Sequence, residues 1–482
     1  MESLKKRVQA YVSNQNEDFL RRAQQVQTSD LYPSKAYSPQ SIDEVISKGE
    51  GNEVKVAGRI MSKRVMKTSS FLTIQDDGQE LQIYLNANDG INYETFVKDS
   101  DIGDIVGFEG TLFTTNTGEL TVRANQYQTL AKSLRPLPDK RKGIVDPHIR
   151  ETRRHLDMLV NEESRERLLL RSQANQIIRN YLLDEGFVEV ETPILQPIYG
   201  GANARPFKTI YHAEDNAQAF LRISNELYLK RIIAGGVNKV FEFAKDFRNE
   251  GIDKTHNPEF TQLELYEAYE DYFSMMDRVE DIFRSLAEGL ENPTPTFMGS
   301  KVNLEQPWTR MAMTDSLQEI GGLDIDPEDE EEVVRLAASE LDLQSEEYGN
   351  ALLNLFEEFV EPNLIQPSMI YDYPISVSPL AKNHRSKEGF TERFEFFIAG
   401  KEFGNAYSEL NDPLEQRLRF LAQLESRDEE SHPLDENYLS VLEDGLPQTG
   451  GLGIGMDRVC MLFSNTDSIR DVLFFPFKKP RK

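Results

Sequence analysis

Cysteine is almost absent from this sequence: Cys460 stands alone among 482 residues. A single thiol closes no internal disulfide and builds no thiolate cluster, which excludes a disulfide scaffold and suits a reducing compartment. Long apolar runs are missing too. None approaches the roughly 18 residues that span a bilayer, so a membrane protein is excluded. The opening MESLKKRVQAYVSNQNEDFLRRA lacks the apolar core of a secretion signal. The expected location is the cytoplasm. Positive charge is the third shortage. Lys and Arg total 54 against 82 Asp and Glu, a net of −28. Phosphate contacts need cations, so the chain as a whole does not read as a general nucleic-acid binder.

The deficit is uneven. Between positions 54 and 142 there are 12 Lys and Arg against 11 Asp and Glu, a net of +1, which leaves about −29 for the remainder. Any nucleic-acid contact is therefore to be sought in that N-terminal third. With 39% hydrophobic and 28% charged residues the chain can bury a sizeable core, and its length predicts two or three domains.

Residues 1–50 read as a helical and loop-like extension, broken at Pro33 and Pro39. Five short alternating runs follow: 54–60, 70–76, 81–86, 104–113 and 120–125. Turn residues at Gly78, Gly90 and Gly118 punctuate them. Five half-buried strands in so short a span predict a small closed barrel of the OB type over 51–133. The basic, Pro-rich stretch from 134 opens a linker to 160. Beyond it, long helical patterns mix with strands over 161–482. A strongly acidic helical insertion is expected within about 275–350, and its charge run at 325–347 reads as a solvated face.

Four segments carry chemistry. GFVEVETPIL (186–195) reads as a helix-to-strand join ending at Pro193, which belongs at a sheet edge. Residues 240–269 read as strand, loop, strand. Period two puts Arg248 and Glu250 on one face of the first strand, and Phe260, Gln262, Glu264 and Tyr266 on one face of the second, with His256 in the loop. A cation, an aromatic plate and carboxylates on one face make a nucleotide-like surface. In 450–463, Gly451, Gly453 and Gly455 alternate, so one strand face is bare enough for a flat group to lie against the backbone; Arg458 follows at a helix start. In 392–412, Glu395 and Glu402 flank a turn at Gly400. Paired carboxylates need a proton or a divalent ion, and hard oxygens beside a phosphate suit Mg²⁺. Glu402, Asn405 and Glu409 fall at helical offsets of three and four. Singly, each of these residues reads as a surface charge or a packing site; together they do not.

The segments at 186–195, 240–269 and 450–463 resemble the three motifs of class II aminoacyl-tRNA synthetases, in order. FRNEG, HNPEF, GGANARPF (200–207), NELYLKR (225–231), SELNDP (408–413) and TGGLGIGMDR (449–458) resemble the bacterial-type class II lysyl-tRNA synthetases, from about residue 20 to 480. The resemblance implies an α+β protein: an OB-fold anticodon-binding domain, then a catalytic domain on an antiparallel sheet flanked by helices, working as a homodimer through the region of Pro193. It implies ATP-dependent attachment of L-lysine to tRNA(Lys) through lysyl-adenylate, ending on the 3′-OH of the terminal adenosine.

The implied site follows residue by residue. Arg248 bridges the amino-acid carboxylate and the α-phosphate. Phe260 stacks on adenine with Arg458 over its other face, and Glu250 and Asn257 read the adenine edge. His256 and Arg458 lie near the outer phosphates, Gly451, Gly453 and Gly455 floor the site, and Glu395 and Glu402 hold Mg²⁺. Glu409 and Tyr266 meet the side-chain ammonium together with Glu264, Glu226 meets the α-amino group, and Asn405 helps with the carboxylate. An ammonium calls for carboxylates, whereas an aspartate- or asparagine-charging pocket needs a cation or amide donors. In the barrel, Arg64, Phe71 and Gln82 match positions that read the anticodon, although Phe71 also suits a barrel core. Gln126 stands where relatives often carry glutamate. Two other readings are a paralogue that lysylates a protein factor, which would lack the barrel, and a catalytically silent RNA-binding scaffold, which would have lost Arg248, Glu402 or Arg458.

Overall fold

The computed structural model describes residues 2–28, 32–139, 142–341, 347–425 and 433–478. Positions 140 and 141 of the expected linker and 342–346 of the acidic run lie outside them. The chain divides into two compact units, Met1–Arg165 and Glu166–Lys482.

In the first unit, strands β1 (Glu53–Val65), β2 (Ser69–Asp76), β3 (Gln79–Asn86), β4 (Ile105–Thr114) and β5 (Leu120–Ala131) close a barrel in the order β1-β2-β3-β5-β4. Alternation explains the closure: Val54, Val56, Ile60, Leu72, Ile74, Ile83, Leu85, Val106, Phe108 and Val122 all face one core, and their neighbours face out. Strand β1 runs five residues past the expected Ile60 because its register shifts between Ile60 and Ser62, and such a bulge lets a long strand curve around a small barrel. Gly110 is needed where β4 shifts register against β5, since a side chain there would run into the Arg123 carbonyl. The segment read as a linker contains the short helices Pro147–Thr152 and Arg154–Val160. They carry a small cluster of Ile144, Leu156 and Val160 and a buried Arg154–Asp157 pair at 3.0 Å.

The second unit is built on an eight-stranded sheet. In chain order its strands are β6 (Val188–Glu189), β10 (Lys239–Phe247), β11 (Glu259–Ala268), β14 (Thr309–Ala312), β15 (Ser368–Tyr371), β16 (Arg393–Ile398), β17 (Lys401–Ser408) and β18 (Thr449–Gly455). Between them, β7 (Leu195–Gln196), β8 (Lys208–Tyr211) and β9 (Ala217–Leu221) form a small sheet, and β12 (Thr296–Phe297) pairs with β13 (Ser300–Lys301). The large sheet is antiparallel from β15 to β10. Only its edge pairs, β14 with β15 and β10 with β6, are parallel. Both edge pairs are joined through helices, and parallel pairing requires a crossover of that kind.

One face of the sheet is sealed by the helices Glu162–Asp184, Tyr272–Gly289 and Met456–Phe463, packed on Phe241, Leu263, Leu265, Phe394, Phe396, Ala406, Leu452 and Ile454. The range given for the acidic insertion opens with a core helix: Tyr272–Gly289, capped by Asp271, buries Met275, Met276, Val279, Ile282, Phe283 and Leu286 in that core. The acidic helix Glu330–Leu341 turns only Val333 and Ala337 inward, into a separate cluster with Leu352, Leu355 and Phe397. Among the described residues no helix is long and apolar enough to cross a membrane.

The opposite face is braced by a buried network. Arg222 donates to Glu242 at 2.9 Å and to the Thr192 hydroxyl at 3.0 Å, and pairs with Asp246 at 3.1 Å; Asn225 donates to Glu242 at 2.8 Å. Burial pushes the Asp246 carboxyl up to about 6 against the pull of Arg222 and Arg248. Removing one partner of a buried ion pair leaves the others uncompensated, so Arg222→Met is expected to destabilise this unit by about 3–5 kcal/mol. The stability contributed by a carboxyl raised in the folded state is present at low pH and lost as pH rises through its folded value. The deficit should therefore be larger at pH 8 than at pH 5, in urea unfolding followed by the buried Trp308.

Candidate active site

Two adjoining cavities open on the braced face. One, of about 220 Å³, is bordered by Glu226, Arg248, Gln262, Glu264, Tyr266, Arg393, Asn405, Tyr407, Gly451 and Gly453. The other, of about 330 Å³, is bordered by Arg248, Glu250, His256, Asn257, Phe260, Gln262, Arg393, Glu395, Glu402, Asn405, Gly455 and Arg458. They share Arg248, Gln262, Arg393 and Asn405 as a common wall. The first is smaller than the roughly 300 Å³ at which pockets for drug-sized ligands begin, and the second is within that range. A small molecule in one and a larger one in the other would meet at two guanidinium groups.

The small cavity is acidic. Tyr407 donates to Glu226 at 2.7 Å, Tyr266 donates to Glu264 at 3.0 Å, and the buried ammonium of Lys230 bonds Glu226 at 2.5 Å and pairs with Glu409. Burial, with Glu226 and Asp246 nearby, holds the Glu264 carboxyl well above the usual carboxylate range. Glu409 is raised in the same sense by burial, opposed by Lys230. Burial works against the charge on Lys230, but Glu226 and Glu409 outweigh it and keep the group protonated. Three carboxylates thus share one internal cation.

The glycines of β18 take a different neighbour from the expected purine. A side chain on Gly451 would collide with the Glu409 carboxylate and the Tyr266 ring, and one on Gly453 would lie 2.7 Å from Glu264 Oε1. These two make room for carboxylates. Gly455 alone borders the larger cavity, where an added Cβ would meet the Phe403 carbonyl at an ordinary 3.5 Å.

The larger cavity has the features of a nucleotide site. Phe260 projects from β11, with the Arg248 guanidinium 5.0 Å from its ring centre. Arg248 Nε and Asn257 Oδ1 are buried without hydrogen-bond partners, one a donor and one an acceptor. His256 hydrogen-bonds Asp253 at 2.8 Å in the exposed loop. Arg458 donates to the Glu402 carbonyl and lies 3.5 Å from its carboxylate. Glu395 contacts Tyr373 at 3.0 Å and Arg393 at 2.5 Å; burial, with Glu402 adding and Arg393 opposing, pushes its carboxyl up to about 7.

Several residues sit otherwise than period and offset suggested. Arg248 and Glu250 follow the end of β10 at Phe247, so they lie in the loop, where Arg248 can turn inward. Residues 401–408 form a strand, not a helix. Glu402 and Asn405 share a face because the register slips between Phe396 and Phe397, leaving Phe403 as an extra residue that points into the core. Glu409 does not border the cavity; it lies behind Gly451, against Lys230. Arg393, Tyr407 and Lys230 were not singled out from sequence, and Gln262 was placed on the shared strand face without a role. Alternation in RFEFFI puts Arg393 on the face of Glu395, a signal that was available; burial of Lys230 had none.

On the barrel, Arg64 pairs with Phe71, Phe71 with Tyr84, and Tyr84 with Arg123, one outward row across four strands. Phe71 is half-buried and outside the core cluster, with its ring 4.9 Å from Tyr84, so the core reading fails. Gln82 lies in the adjacent row and bonds Glu119 at 2.6 Å.

Comparison with known proteins agrees with this geometry. A family described as tRNA synthetases class II (D, K and N) matches residues 146–479, and an OB-fold nucleic acid binding domain matches residues 54–130. The chain belongs to the class II tRNA synthetases. Its relatives include proteins named lysine–tRNA ligase from Carboxydothermus hydrogenoformans (47% identical over 89% of each chain), Listeria monocytogenes (47%, over 89% of this chain and 88% of the other) and Staphylococcus epidermidis (46%, over 92% and 90%). Within the class, it belongs to the lysine–tRNA ligase family.

The glycine contacts make a direct prediction. Gly451→Ala overpacks the carboxylate cluster and should cost about 1–3 kcal/mol in urea unfolding. Gly455→Ala should stay within about 0.5 kcal/mol of the parent while weakening ATP binding. Equal stabilities would mean that Glu409 and Tyr266 move aside freely.

Proposed function

We propose that the double cavity attaches lysine to tRNA in two steps, with the side-chain ammonium of lysine at Glu264 and Tyr266, Glu409 behind them, and its α-ammonium at Glu226. The observation that carries this reading is the cluster of buried carboxyls, Glu226, Glu264 and Glu409, around the ammonium of Lys230. Burial holds Glu264 and Glu409 toward their neutral forms, and a cationic side chain entering the cavity favours their ionised forms where a neutral or acidic one does not.

In the first step an oxygen of the lysine carboxylate attacks the α-phosphorus of ATP in line, the bond to the bridging oxygen breaks, and pyrophosphate leaves. The protein's part is positioning and charge. Arg248, on the common wall, meets both the carboxylate and the α-phosphate, and Asn405 steadies the carboxylate. Tyr266 and Glu264 orient the ε-ammonium, Glu409 supports them from behind Gly451, and Glu226 takes the α-amino group. Phe260 and Arg458 sandwich the adenine, Glu250 and Asn257 bond its edge, His256 and Arg458 face the outer phosphates, and Gly455 lets the nucleotide approach the backbone. In the second step the 3′-OH of the terminal adenosine attacks the acyl carbon and AMP leaves.

Mg²⁺ fits Glu395 and Glu402. Their oxygens are hard donors, and their mutual repulsion is what a cation relieves. Mg²⁺ commonly takes one or two carboxylates and completes its shell with phosphate oxygens and water. When bound, it would neutralise charge on the phosphates. On the barrel, Arg64, Phe71 and Gln82 read anticodon bases, with Tyr84 and Arg123 extending the row. A homodimer through the region of Pro193 fits the exposed Val188, Ile194 and Leu195. The lone buried thiol of Cys460 is consistent with the cytoplasm.

Lysine-dependent exchange of pyrophosphate into ATP tests the reading. Exchange with aspartate or asparagine but not lysine would reject it. Glu264→Gln should raise the lysine KM at least about tenfold, as expected when a hydrogen-bonded charge is lost. Phe71→Ala should raise the tRNA KM about tenfold, the worth of one stacked base, while exchange is unaffected.

A further inference from the structure

Lys230 belongs to none of the roles above. It sits in the helix Glu226–Ala234 and its side chain is fully buried. A lysine closed off from water is tolerated only when its charge is matched. Here its partners come from three directions. Glu226 lies one turn earlier on the same helix, at 2.5 Å. Glu409 and Tyr407 come from the end of β17 and beyond it, with the Tyr407 ring centre 5.5 Å away. Tyr438 comes from the helix Glu436–Gly445. Glu264 and Tyr266 on β11 complete the cluster, beyond Glu226 and Glu409.

We infer that Lys230 is a specificity-determining residue that sets the charge of the amino-acid site: it neutralises one of three buried carboxylates and leaves two for the ligand. This rests on the reading of the site as a lysine site. An amino acid that enters with both an α-ammonium and a side-chain ammonium supplies the two missing charges, while its carboxylate goes to Arg248 at the common wall. Amino acids with a single ammonium leave one buried carboxylate unmatched. Lys230 does not touch the substrate in this arrangement. It acts through Glu226 and Glu409, by setting a positive charge beside them and by holding both carboxyl groups in place. The orphaned Oε1 of Glu409 fits this, since the oxygen is buried without a hydrogen-bond partner although the carboxylate is paired with Lys230.

The test is lysine-dependent pyrophosphate exchange by the full chain, on the parent and on Lys230→Met, Glu409→Gln and the double variant. In Lys230→Met the Glu409 carboxyl loses the ammonium that opposes its burial and keeps its proton to higher pH. The variant's lysine KM should rise at least about tenfold with the ATP KM little changed, and its ratio to the parent's KM at the same pH should fall as pH is raised from about 6.5 to about 8.5. Glu409→Gln alone should also raise the lysine KM. The double variant restores two carboxylates for two ammonium groups, so its KM should lie closer to the parent's than that of either single variant. A merely structural Lys230 gives effects that add in the double variant and a pH profile like the parent's, and either result overturns the inference. If Lys230→Met does not fold, the comparison of Glu409→Gln with the double variant decides by the same ordering. A parent without lysine-dependent exchange refutes the functional reading itself, whereas an active parent with additive variants refutes only the role of Lys230.

Discussion

The second unit is organised around a cluster of carboxylates that should not be together. Glu226, Glu264 and Glu409 are all buried, and only the ammonium of Lys230 lies among them. Removing charge from water costs several kcal/mol per group unless an opposite charge accompanies it. Burial therefore raises the Glu264 and Glu409 carboxyls well above the usual carboxylate range. The rest of the unit is arranged to hold the imbalance in place. The glycines of β18 leave room for the carboxylates, the tyrosines of β11 and β17 donate to them, and the Arg222 network fixes the helix that carries Glu226.

Both cavities depend on the sheet having two chemically different faces. One face is continuous apolar packing, and the other carries arginines, carboxylates and glycines on the same strands. Alternation along β11 delivers Phe260 to the larger cavity and Tyr266 to the smaller, with Gln262 on the wall between. The bulge at Phe403 does for β17 what alternation does for β11. It sends one aromatic inward and brings Glu402 round to the face of Asn405. The two cavities are therefore joined through a rigid element, and Arg248 and Arg393 stand at the junction.

Much of this was legible from residue order. The barrel follows from five alternating runs, because a strand with one buried face repeats every two residues. The row from Phe260 to Tyr266 follows from the same rule. Where the rule was applied past its range it failed: Arg248 and Glu250 lie beyond the strand end, and a helical spacing was read into Glu402, Asn405 and Glu409 although they lie on and just past a strand. The apolar stripe of Tyr272–Gly289 was not read from the sequence.

Sequence by itself determined the class of protein, the barrel, the alternation of the two strands that line the cleft and many of the residues that border it, because these depend on local period and on motifs whose members lie close along the chain. Tertiary structure alone decided which side of each wall a residue occupies. It put Glu409 behind the glycine strand, drew Lys230 into the acidic cluster and joined two cavities at Arg248. Those outcomes depend on burial and on charges brought together from segments more than a hundred residues apart, and no local pattern records the field that such groups create for one another.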